Sequence, residues 1–406
     1  MCERTSEAAS YVAHVGAAAA CLVRASSCAE ALGASGLFDG PAAIGDRTPA
    51  APNRALALVI YANGPTDAFS ERFPAESLFF VEDLHPSAFE AAPAPADAQA
   101  LWLVPALSAW DLRIADVRAL AAAAHARGAL LALDVSATTS YCSAAFELGA
   151  DLCLERLDAD GEGDAAAASD IALSRTGLQP RWALSVARPR RKRRDEAAAE
   201  LNCLRAEIVG VLGGAQHAGD AQALLDRDAR TQRRCDHARA LAEYLSCCDA
   251  VPGVVYPGLP THPDHALAAQ ALRHGAGFVL DFEVPSSTCA AAFIARAARH
   301  RAHPGISGAA GAAASDSYSS KSTAVVPAIR TAPAAGAAPA PGSPCACEPL
   351  AVGAPLASEP DARTRLLARD GAGGRFVRLV AGLDNPLAIA DDLDQALRWF
   401  CNPPEP

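Results

Sequence analysis

The first half of the sequence alternates short apolar runs with helical patterns, and this alternation restricts the fold more than any other feature. The apolar runs lie at 55–61, 77–82, 100–106 and 129–135, and a helical pattern closed by a glycine covers 114–128. Strands that alternate with helices form parallel sheets whose two faces are covered by helices. The sequence therefore predicts an α/β fold with a mostly parallel sheet.

The carboxyl ends of these strands are where functional groups are expected, because ligands bind beyond that edge of a parallel sheet. Asp134 ends the run at 129–135. A second strand-like run, ELGADLCLE at 147–155, follows, and an acidic loop comes next. Asp134 is therefore the first candidate for a functional residue.

The second half of the chain contains fewer strand patterns and one long biased tract. Its regular segments are a long helix at 220–245, a loop that enters a helix at 254–270, strands at 277–284 and 375–382, and an amphipathic helix at 386–400. Residues 303–360 are rich in Ala, Pro, Gly and Ser, a composition that predicts disorder. We expect a large domain over 1–248 and a smaller α+β domain over 249–406 that contains this insert.

Charge and cysteine usage restrict the partners. The 406-residue chain has a formal net charge of -11, which argues against general nucleic-acid binding. No apolar run reaches the roughly 20 residues of a membrane helix, and the first residues are polar, so a cytoplasmic protein without a membrane partner is predicted. The 13 cysteines are scattered without the spacing of a zinc site, and no metal is expected.

Lysine is almost absent. It occurs only at Lys192 and Lys321, and the other basic residues are arginines. Any mechanism that requires an amine is therefore restricted to two positions.

Three blocks of sequence resemble one enzyme family. They are HARGALLALDVSATTSYCSAAFELGADLCLE at 125–155, HARALAEYLSCCDAVPGVVYPGLPTHPDHALA at 237–268, and FVRLVAGLDNPLAIADDLDQAL at 376–397. Their order and motifs resemble the trans-sulfuration group of pyridoxal-phosphate enzymes, which includes the cystathionine synthases and lyases. The resemblance implies the aspartate-aminotransferase-like fold, fold type I, with a mostly parallel large domain and a smaller α+β domain.

The resemblance also implies roles for individual residues. Asp134 matches the aspartate that pairs with the pyridinium nitrogen of pyridoxal phosphate, and Tyr61 matches the aromatic residue that stacks on the ring. Arg378 matches the arginine that binds the substrate carboxylate. The family's phosphate-binding turn matches Ser26-Ser27-Cys28 without its glycine, so Ser27 and Cys28 are candidate cofactor ligands. The matching arginine of the long helix, Arg230, is interpreted as structural.

The sequence departs from the family at the position that matters most for chemistry. Where the family has its Schiff-base lysine, this chain has Ala159, and the preceding phosphate-binding hydroxyls are replaced by Arg156 and Asp158. The family's N-terminal arm is also expected to be missing. Losing about three phosphate hydrogen bonds costs on the order of 5–9 kcal/mol of binding free energy. Trans-sulfuration chemistry is therefore expected to be absent or weak.

Structural interpretations stand beside the functional ones. Asp134 could cap a turn, Tyr61 could be a core aromatic residue, and Arg378 in its strand could pair with a helix carboxylate. His262 and His265 have spacing that suits a metal, but a solvated loop is favoured.

Two further features have both a structural and a functional interpretation. The run Arg188–Arg194 could bind a polyanion, but an exposed loop is favoured in an acidic protein. Cys142 and Cys153 lie close in sequence to the matched site, and nothing in the sequence indicates an activated thiolate there.

Three hypotheses about function follow. The first is a divergent trans-sulfuration homologue without the Schiff-base lysine, impaired in catalysis or acting as a non-catalytic subunit. Such a chain would form a homodimer, a homotetramer or a heteromer with an active paralogue. The second is a weakly active, pyridoxal-phosphate-binding lyase or synthase acting on cysteine- or homocysteine-type substrates. The third is an anion-binding module that uses the Arg-rich helix.

Overall fold

The fold was analysed in a computed structural model of the chain. The structure describes residues 11–25, 27–35, 56–62, 66–95, 98–157, 181–188, 201–206, 208–209, 221–302, 364–369 and 373–401.

A seven-stranded mixed sheet forms the larger layer. Its strands are β1 (Ala19–Arg24), β2 (Leu56–Tyr61), β3 (Leu78–Val81), β4 (Gln99–Pro105), β5 (Leu130–Asp134), β6 (Leu152–Leu157) and β7 (Arg181–Val186). The spatial order is β1-β7-β6-β5-β4-β2-β3. Strands β3, β2, β4, β5 and β6 pair in parallel, whereas β7 pairs antiparallel with both β6 and β1. The parallel strands bring several strand ends to one edge of the sheet.

Helices cover the two faces of this sheet. They are α1 (Cys28–Ala34), α2 (Asp67–Arg72), α3 (Pro86–Glu90), α4 (Val117–Ala126), α5 (Thr139–Cys142) and α6 (Ala145–Leu148). Helix α4 shows how the sequence sets these bounds. The Asp116 carboxylate accepts a hydrogen bond from the Ala119 amide at the start, and Gly128, at φ 70°, follows its end. The face of α4 that carries Leu120 and Ala124 is buried.

A four-stranded antiparallel sheet forms the smaller layer. Its strands are β8 (Val254–Val255), β9 (Val279–Glu283), β10 (Arg365–Ala368) and β11 (Phe376–Val380), in the order β10-β11-β9-β8. The remaining helices are α7 (Ala221–Ser246), α8 (His265–Ala271), α9 (Ala290–Ala302) and α10 (Pro386–Cys401). Helix α7 contacts α5 beside the large sheet and also β8, β9 and α10 beside the small sheet.

One hydrophobic cluster joins the two sheets. It contains Trp102 and Leu131 of the large sheet together with Phe278, next to β9, and Leu379 of the small sheet. A second cluster, around Leu32 and Trp182, fills the opposite face of the large sheet. One face of the large sheet is therefore built into the same core as the small sheet.

The predicted α/β class with a mostly parallel sheet is confirmed. Most predicted strands and long helices are present, with ends shifted by up to three residues, but the strand predicted over 147–155 begins only at Leu152 because residues 145–148 form helix α6. Strands β1, β7, β8 and β10 were not expected from the sequence, and the residues of β8 were predicted to belong to a loop. The domain limits at 1–248 and 249–406 remain a prediction, and the insert at 303–360 lies outside the described residues. Within the ranges given above, every helix is too short or too polar to cross a bilayer.

Candidate functional site

Asp134 lies at the carboxyl end of β5, the edge at which parallel sheets bind ligands. Its Oδ1 accepts a hydrogen bond of 2.8 Å from the Ser136 amide, so the carboxylate also organises the turn that follows the strand. The Ser136 hydroxyl in turn accepts a hydrogen bond of 3.0 Å from the Arg156 amide on β6. The turn after β5 is therefore fastened to the neighbouring strand.

Cys28 lies next to Asp134, and Ser27 precedes it in the chain. The Ser27 hydroxyl accepts a hydrogen bond of 3.1 Å from the Glu30 amide and caps helix α1. The Cys28 thiol lies within hydrogen-bonding reach of the Asp134 carboxylate. The structure thus brings together three of the residues matched to cofactor binding, and the side chains of two of them point at each other.

Burial is the largest influence on the pKa of both Asp134 and Cys28. It raises the pKa of the Asp134 carboxyl, and the negative charge of Glu155 acts in the same direction, although hydrogen bonds from Ser136 and Cys28 oppose the rise. Burial and the nearby carboxylate also hold the pKa of the Cys28 thiol well above its ordinary value. Cys28 is therefore a neutral hydrogen-bonding group rather than a nucleophile.

Arg156 and Glu155 occupy opposite faces of β6. Asp134 pairs with Leu154 in the sheet register, so Arg156, two residues further on, lies on the face that carries Asp134. Glu155 is fully buried on the other face, where its carboxylate accepts hydrogen bonds from Tyr11, at 2.6 Å, and from Arg227. These contacts lower the pKa of Glu155 against the upward effect of burial.

Tyr61 lies on the opposite face of the large sheet from Asp134. In the sheet register Ile60 lies opposite Leu103, so Tyr61 is level with Val104, which lies opposite Leu133. Successive residues of a strand point to opposite faces, so Tyr61 shares a face with Leu133 and not with Asp134. Tyr61 is buried, and its hydroxyl donates a hydrogen bond of 3.0 Å to Asp111 Oδ2. Its ring therefore packs in the shared core, away from the Asp134 carboxylate.

Arg378 is completely buried in the small sheet. Its Nε and Nη2 donate to the two oxygens of Asp281, the residue opposite it on β9, at 2.7 and 2.8 Å. Its Nη1 donates to the carbonyl of Ala109, and Nη2 also donates to the carbonyl of Trp110 at 3.0 Å. The guanidinium is therefore neutralised by a carboxylate of the chain itself.

The loop at 108–114 connects Tyr61 and Arg378. Tyr61 binds it through Asp111, and Arg378 binds its carbonyl groups. Asp264 holds the far end of the loop, because its carboxylate accepts hydrogen bonds from Arg113 Nε at 2.5 Å and from the Ile114 amide at 3.0 Å. The candidate residues thus form two groups, one around Asp134 and one around this loop.

The remaining residues singled out in the sequence belong to neither of these two groups. Arg230 lies half-buried on α7, and its structural role remains a prediction. The favoured solvated-loop interpretation is wrong for His262, which is buried because its ring packs inside the turn and its Nδ1 accepts the Asp264 amide at 3.1 Å. Ala159, Asp158, Lys192 and Lys321 lie outside the described residues, as does most of the run Arg188–Arg194.

Asp281 and Cys235 are among the residues that were not singled out in the sequence. Asp281 stands inside the apolar strand β9, and a charge in such a strand requires a buried partner, which was the available signal. Cys235 lies on α7 with its sulfur 3.7 Å from that of Cys142. The two cysteines are separated by 93 positions in the chain, so no local pattern could have paired them.

Part of the sequence is similar to known proteins. Residues 213–303 match the profile of the Cys/Met metabolism PLP-dependent enzyme family. A relative described as a putative cystathionine gamma-lyase, from Streptomyces coelicolor, is 32% identical over 185 residues. That alignment covers 45% of this chain and 42% of the relative, so the similarity spans about two fifths of the relative's length.

Solved structures share the fold over a longer stretch. An O-acetylhomoserine sulfhydrylase of Wolinella succinogenes superposes with a TM-score of 0.59 and 18% identity, covering 94% of this chain and 92% of that chain. A methionine gamma lyase from Micromonospora echinospora superposes with a TM-score of 0.51 and 18% identity, covering 93% and 80%. The predicted fold type I is therefore confirmed. Part of this chain is therefore similar in sequence to the trans-sulfuration, or Cys/Met metabolism, family of pyridoxal-phosphate-dependent enzymes, and its fold is that of the two solved enzymes.

Proposed function

We propose that this chain is a divergent trans-sulfuration homologue that has lost the Schiff-base lysine and serves as a non-catalytic subunit. One observation carries the proposal. The chain contains two lysines, and neither Lys192 nor Lys321 falls in the segment that matches the family's lysine, where Ala159 stands. The family's chemistry begins with an amine at that position, so its replacement by a methyl group removes the first covalent step.

The residues around Asp134 support the proposal. Pyridoxal phosphate is the family's cofactor and supplies a ring that accepts electrons from a bound amino acid. Asp134 fits its pyridinium nitrogen, since a carboxylate at a strand end can pair with a protonated ring. The raised pKa of Asp134 and the thiol of Cys28 beside it weaken that pairing.

The other matched residues fit the cofactor less well. Tyr61 lies on the opposite face of the sheet, and its hydroxyl binds Asp111. Arg378 forms a closed pair with Asp281 and is not presented to a substrate carboxylate. The donor set therefore does not fit the whole cofactor with its substrate, and no catalytic step through it follows.

The proposal includes a partner. A fold that is kept while its site is altered suits a subunit that assembles with itself, as a homodimer or homotetramer, or with an active paralogue. The expected compartment is the cytoplasm, where the free thiols of the described residues remain reduced. Sedimentation of the purified chain, alone and after co-expression with a catalytically intact homologue, measures this assembly. A strictly monomeric chain that also fails to bind the homologue contradicts the role as a subunit.

The lysine itself is tested by trapping. The purified chain is incubated with pyridoxal phosphate, reduced with borohydride and digested, and lysine adducts are mapped by mass spectrometry. We expect no stoichiometric adduct and no change in visible absorbance. A stoichiometric adduct on Lys192 or Lys321 contradicts the proposal, because it identifies a working amine. An intact homologue treated in parallel controls for the efficiency of trapping.

The alternative function is a weakly active lyase or synthase that holds pyridoxal phosphate without a covalent bond. The location of Asp134 at the carboxyl end of β5 favours it, because that residue alone keeps the position needed by the ring nitrogen. Release of ammonia, keto acid or thiol from cystathionine, homocysteine or acyl-homoserines, lost in the Asp134→Asn variant, would support this alternative.

A further inference from the structure

Two buried cysteines meet between helices α5 and α7. Cys142 ends α5, Cys235 lies in the middle of α7, and their sulfur atoms are 3.7 Å apart. The exposed fractions of the two residues are 0% and 1%. A disulfide requires a sulfur–sulfur distance of about 2.0 Å, so the atoms must approach by about 1.7 Å, which side-chain rotation can supply.

The segment before Cys142 is held against its surroundings by several contacts. The Arg273 amide donates to the Cys142 carbonyl at 2.7 Å, and the Tyr141 ring stacks on the His274 ring with centroids 4.3 Å apart. Thr139 and His274 both have positive φ angles, of 62° and 61°. A β-branched residue adopts this conformation only where the surrounding packing imposes it. The position of Cys142 is therefore fixed by its contacts with the segment at 273–274.

A cavity gives small molecules a route to Cys235. It has a volume of about 310 Å³ and lies between α7 and the segment 256–276. Cys235 lines it together with Asp236, Tyr256 and His274. Gly275, at φ 135°, forms part of the wall, and a Cβ atom there would lie 2.6 Å from the Cβ of Cys235. The absence of a side chain at position 275 leaves Cys235 the space it occupies.

The two thiols differ in character. The hydrogen bond between them lowers the pKa of the Cys235 thiol and raises that of Cys142, and the positive charge of Arg234 and the Gly277 amide favour the Cys235 thiolate further. By contrast, burial raises the pKa of Cys153 well above its ordinary value. Cys235, which also lines the cavity, is therefore the thiol that meets an incoming molecule first, and Cys142 is placed to react next.

We propose that Cys142 and Cys235 are a redox-active dithiol that hydroperoxides reach through the cavity and convert into a disulfide. The Cys235 thiolate attacks the distal oxygen of the hydroperoxide, forming Cys235 sulfenic acid and releasing an alcohol after protonation, or water from hydrogen peroxide itself. The Cys142 sulfur then attacks the Cys235 sulfur, and the hydroxyl leaves as water. Two thiols are oxidised by two electrons, and the peroxide bond is reduced.

The reaction links two parts of the fold. A bond between residues 142 and 235 joins α5, which follows the strand that carries Asp134, to α7, which contacts both sheets. The oxidised chain is therefore expected to unfold at a higher temperature than the reduced chain. A thiol reductant reverses both changes.

The first test uses the full-length reduced chain and hydrogen peroxide in slight excess. After the remaining thiols have been blocked, non-reducing digestion and mass spectrometry identify the disulfides. We expect one cross-linked peptide, joining Cys142 to Cys235, and an upward shift of the thermal midpoint. Oxidation confined to exposed thiols such as Cys203 and Cys401, with the pair still reduced, overturns the proposal.

Variants separate the two roles. The Cys142→Ser variant is expected to stop at Cys235 sulfenic acid, which dimedone traps, whereas Cys235→Ser is expected to oxidise Cys142 at least tenfold more slowly. The matched control is Cys153→Ser, another buried thiol, which leaves formation of the disulfide unchanged. Equal oxidation rates in the Cys235→Ser variant and the parent contradict the assignment of the nucleophile.

A measurement on the unaltered chain covers the case in which a variant does not fold. Phenylarsine oxide bridges two neighbouring thiols, so one equivalent is expected to bind the pair and to prevent peroxide from forming the disulfide. Failure of the arsenical to protect Cys142 and Cys235 from a monothiol alkylating reagent counts against a reactive dithiol.

Discussion

The carboxylate of Asp281 compensates the buried positive charge of Arg378. Both residues are fully buried, and Arg369 Nη1 lies 3.4 Å from the same carboxylate. Removing one partner of a buried pair leaves a charge without compensation. We therefore expect Asp281→Ala to lower the free energy of unfolding by about 3–5 kcal/mol, measured by urea denaturation at neutral pH.

The same strand supplies the control for this prediction. Glu283 pairs with Arg375 at 3.1 Å, but both side chains are partly exposed. Glu283→Ala is expected to cost about 0–1 kcal/mol, because exposed pairs contribute little. The double change Asp281→Leu with Arg378→Met is expected to recover much of the loss. Equal effects of Asp281→Ala and Glu283→Ala would falsify the view that the Arg378 pair is structural.

Asp134 makes stability depend on pH in a defined direction. Its pKa is higher in the folded than in the unfolded chain, so the folded state binds more protons at pH values between the two. The free energy of unfolding therefore falls as pH rises from about 3.8, the ordinary value, through the folded pKa. Asp134→Asn abolishes this loss. We expect the variant to be more stable than the parent at neutral pH and to lose that advantage near pH 3.8.

Glu155, close to Asp134, makes stability depend on pH in the opposite direction, because its pKa is lowered in the folded chain. Arg227 and Tyr11 lower its pKa against burial, so its contribution is present above its ordinary value of 4.5 and is lost as pH falls through the folded pKa. Glu155→Gln is expected to cost about 3–5 kcal/mol at neutral pH and less in acid. Urea midpoints of both variants and the parent, measured across this pH range, test the two directions together. The same pH trend for Asp134→Asn and Glu155→Gln contradicts them.

At the residue scale, the location of Asp134 at a strand end could be predicted from the sequence, but the side chains that Arg378 and Tyr61 contact could not. Asp134 at a strand end followed from the apolar run before it, and the structure has it there. The pairing of Arg378 with Asp281 depends on β11 lying beside β9, and these strands are separated by a long stretch of chain. The face on which Tyr61 lies depends in the same way on register across three strands. Contacts of this kind cannot be derived from local spacing.

At the element scale, Arg234 is one of the side chains that attach helix α7 to the small sheet. The Arg234 guanidinium lies 3.7 Å from the centroid of the Phe278 ring, and its Nε donates to the Ala381 carbonyl at 2.9 Å. A desolvated cation–π contact contributes about 2 kcal/mol, and a buried carbonyl left without a donor costs about 1–3 kcal/mol. We expect Arg234→Ala to lower the free energy of unfolding by about 3 kcal/mol.

The neighbouring position gives a matched control for the helix. Arg233 is exposed on α7, so Arg233→Ala is expected to change stability by no more than about 0.5 kcal/mol. Both variants are compared with the parent by urea denaturation. Arg234→Lys keeps the charge but not the planar group, and an intermediate loss is expected. A loss from Arg233→Ala as large as that from Arg234→Ala excludes a specific role for the stacked arginine.

Element prediction succeeded where burial gives a strong local pattern. The runs that became β4 and β5 are almost continuously apolar, and the structure places them in the middle of the large sheet. Strand β1 was missed because AACLVR is short and begins with two alanines, which indicate no particular structure. Strands β1 and β7 pair although more than 150 residues separate them in the chain, so no local sequence pattern could predict their pairing.

At the scale of the whole molecule, the two sheets share one core. The cluster that contains Trp102 and Leu131 also contains Phe278 and Leu379. Separate domains would each have their own core and could unfold independently, whereas a shared core couples their unfolding. We therefore expect a single cooperative transition in urea, although the sequence suggests two domains.

Hydrogen exchange measures this coupling directly, because it reports each strand separately. Pulse labelling is carried out at increasing urea concentrations, and mass spectrometry follows peptides covering Leu130–Asp134 of the large sheet and Val279–Glu283 of the small sheet. Both peptides are expected to lose protection at the same urea concentration. In the Arg234→Ala variant both should shift together to lower urea. Loss of protection in the small sheet at clearly lower urea would mean that the sheets unfold as independent units, and the boundary near residue 248 would then separate two true domains.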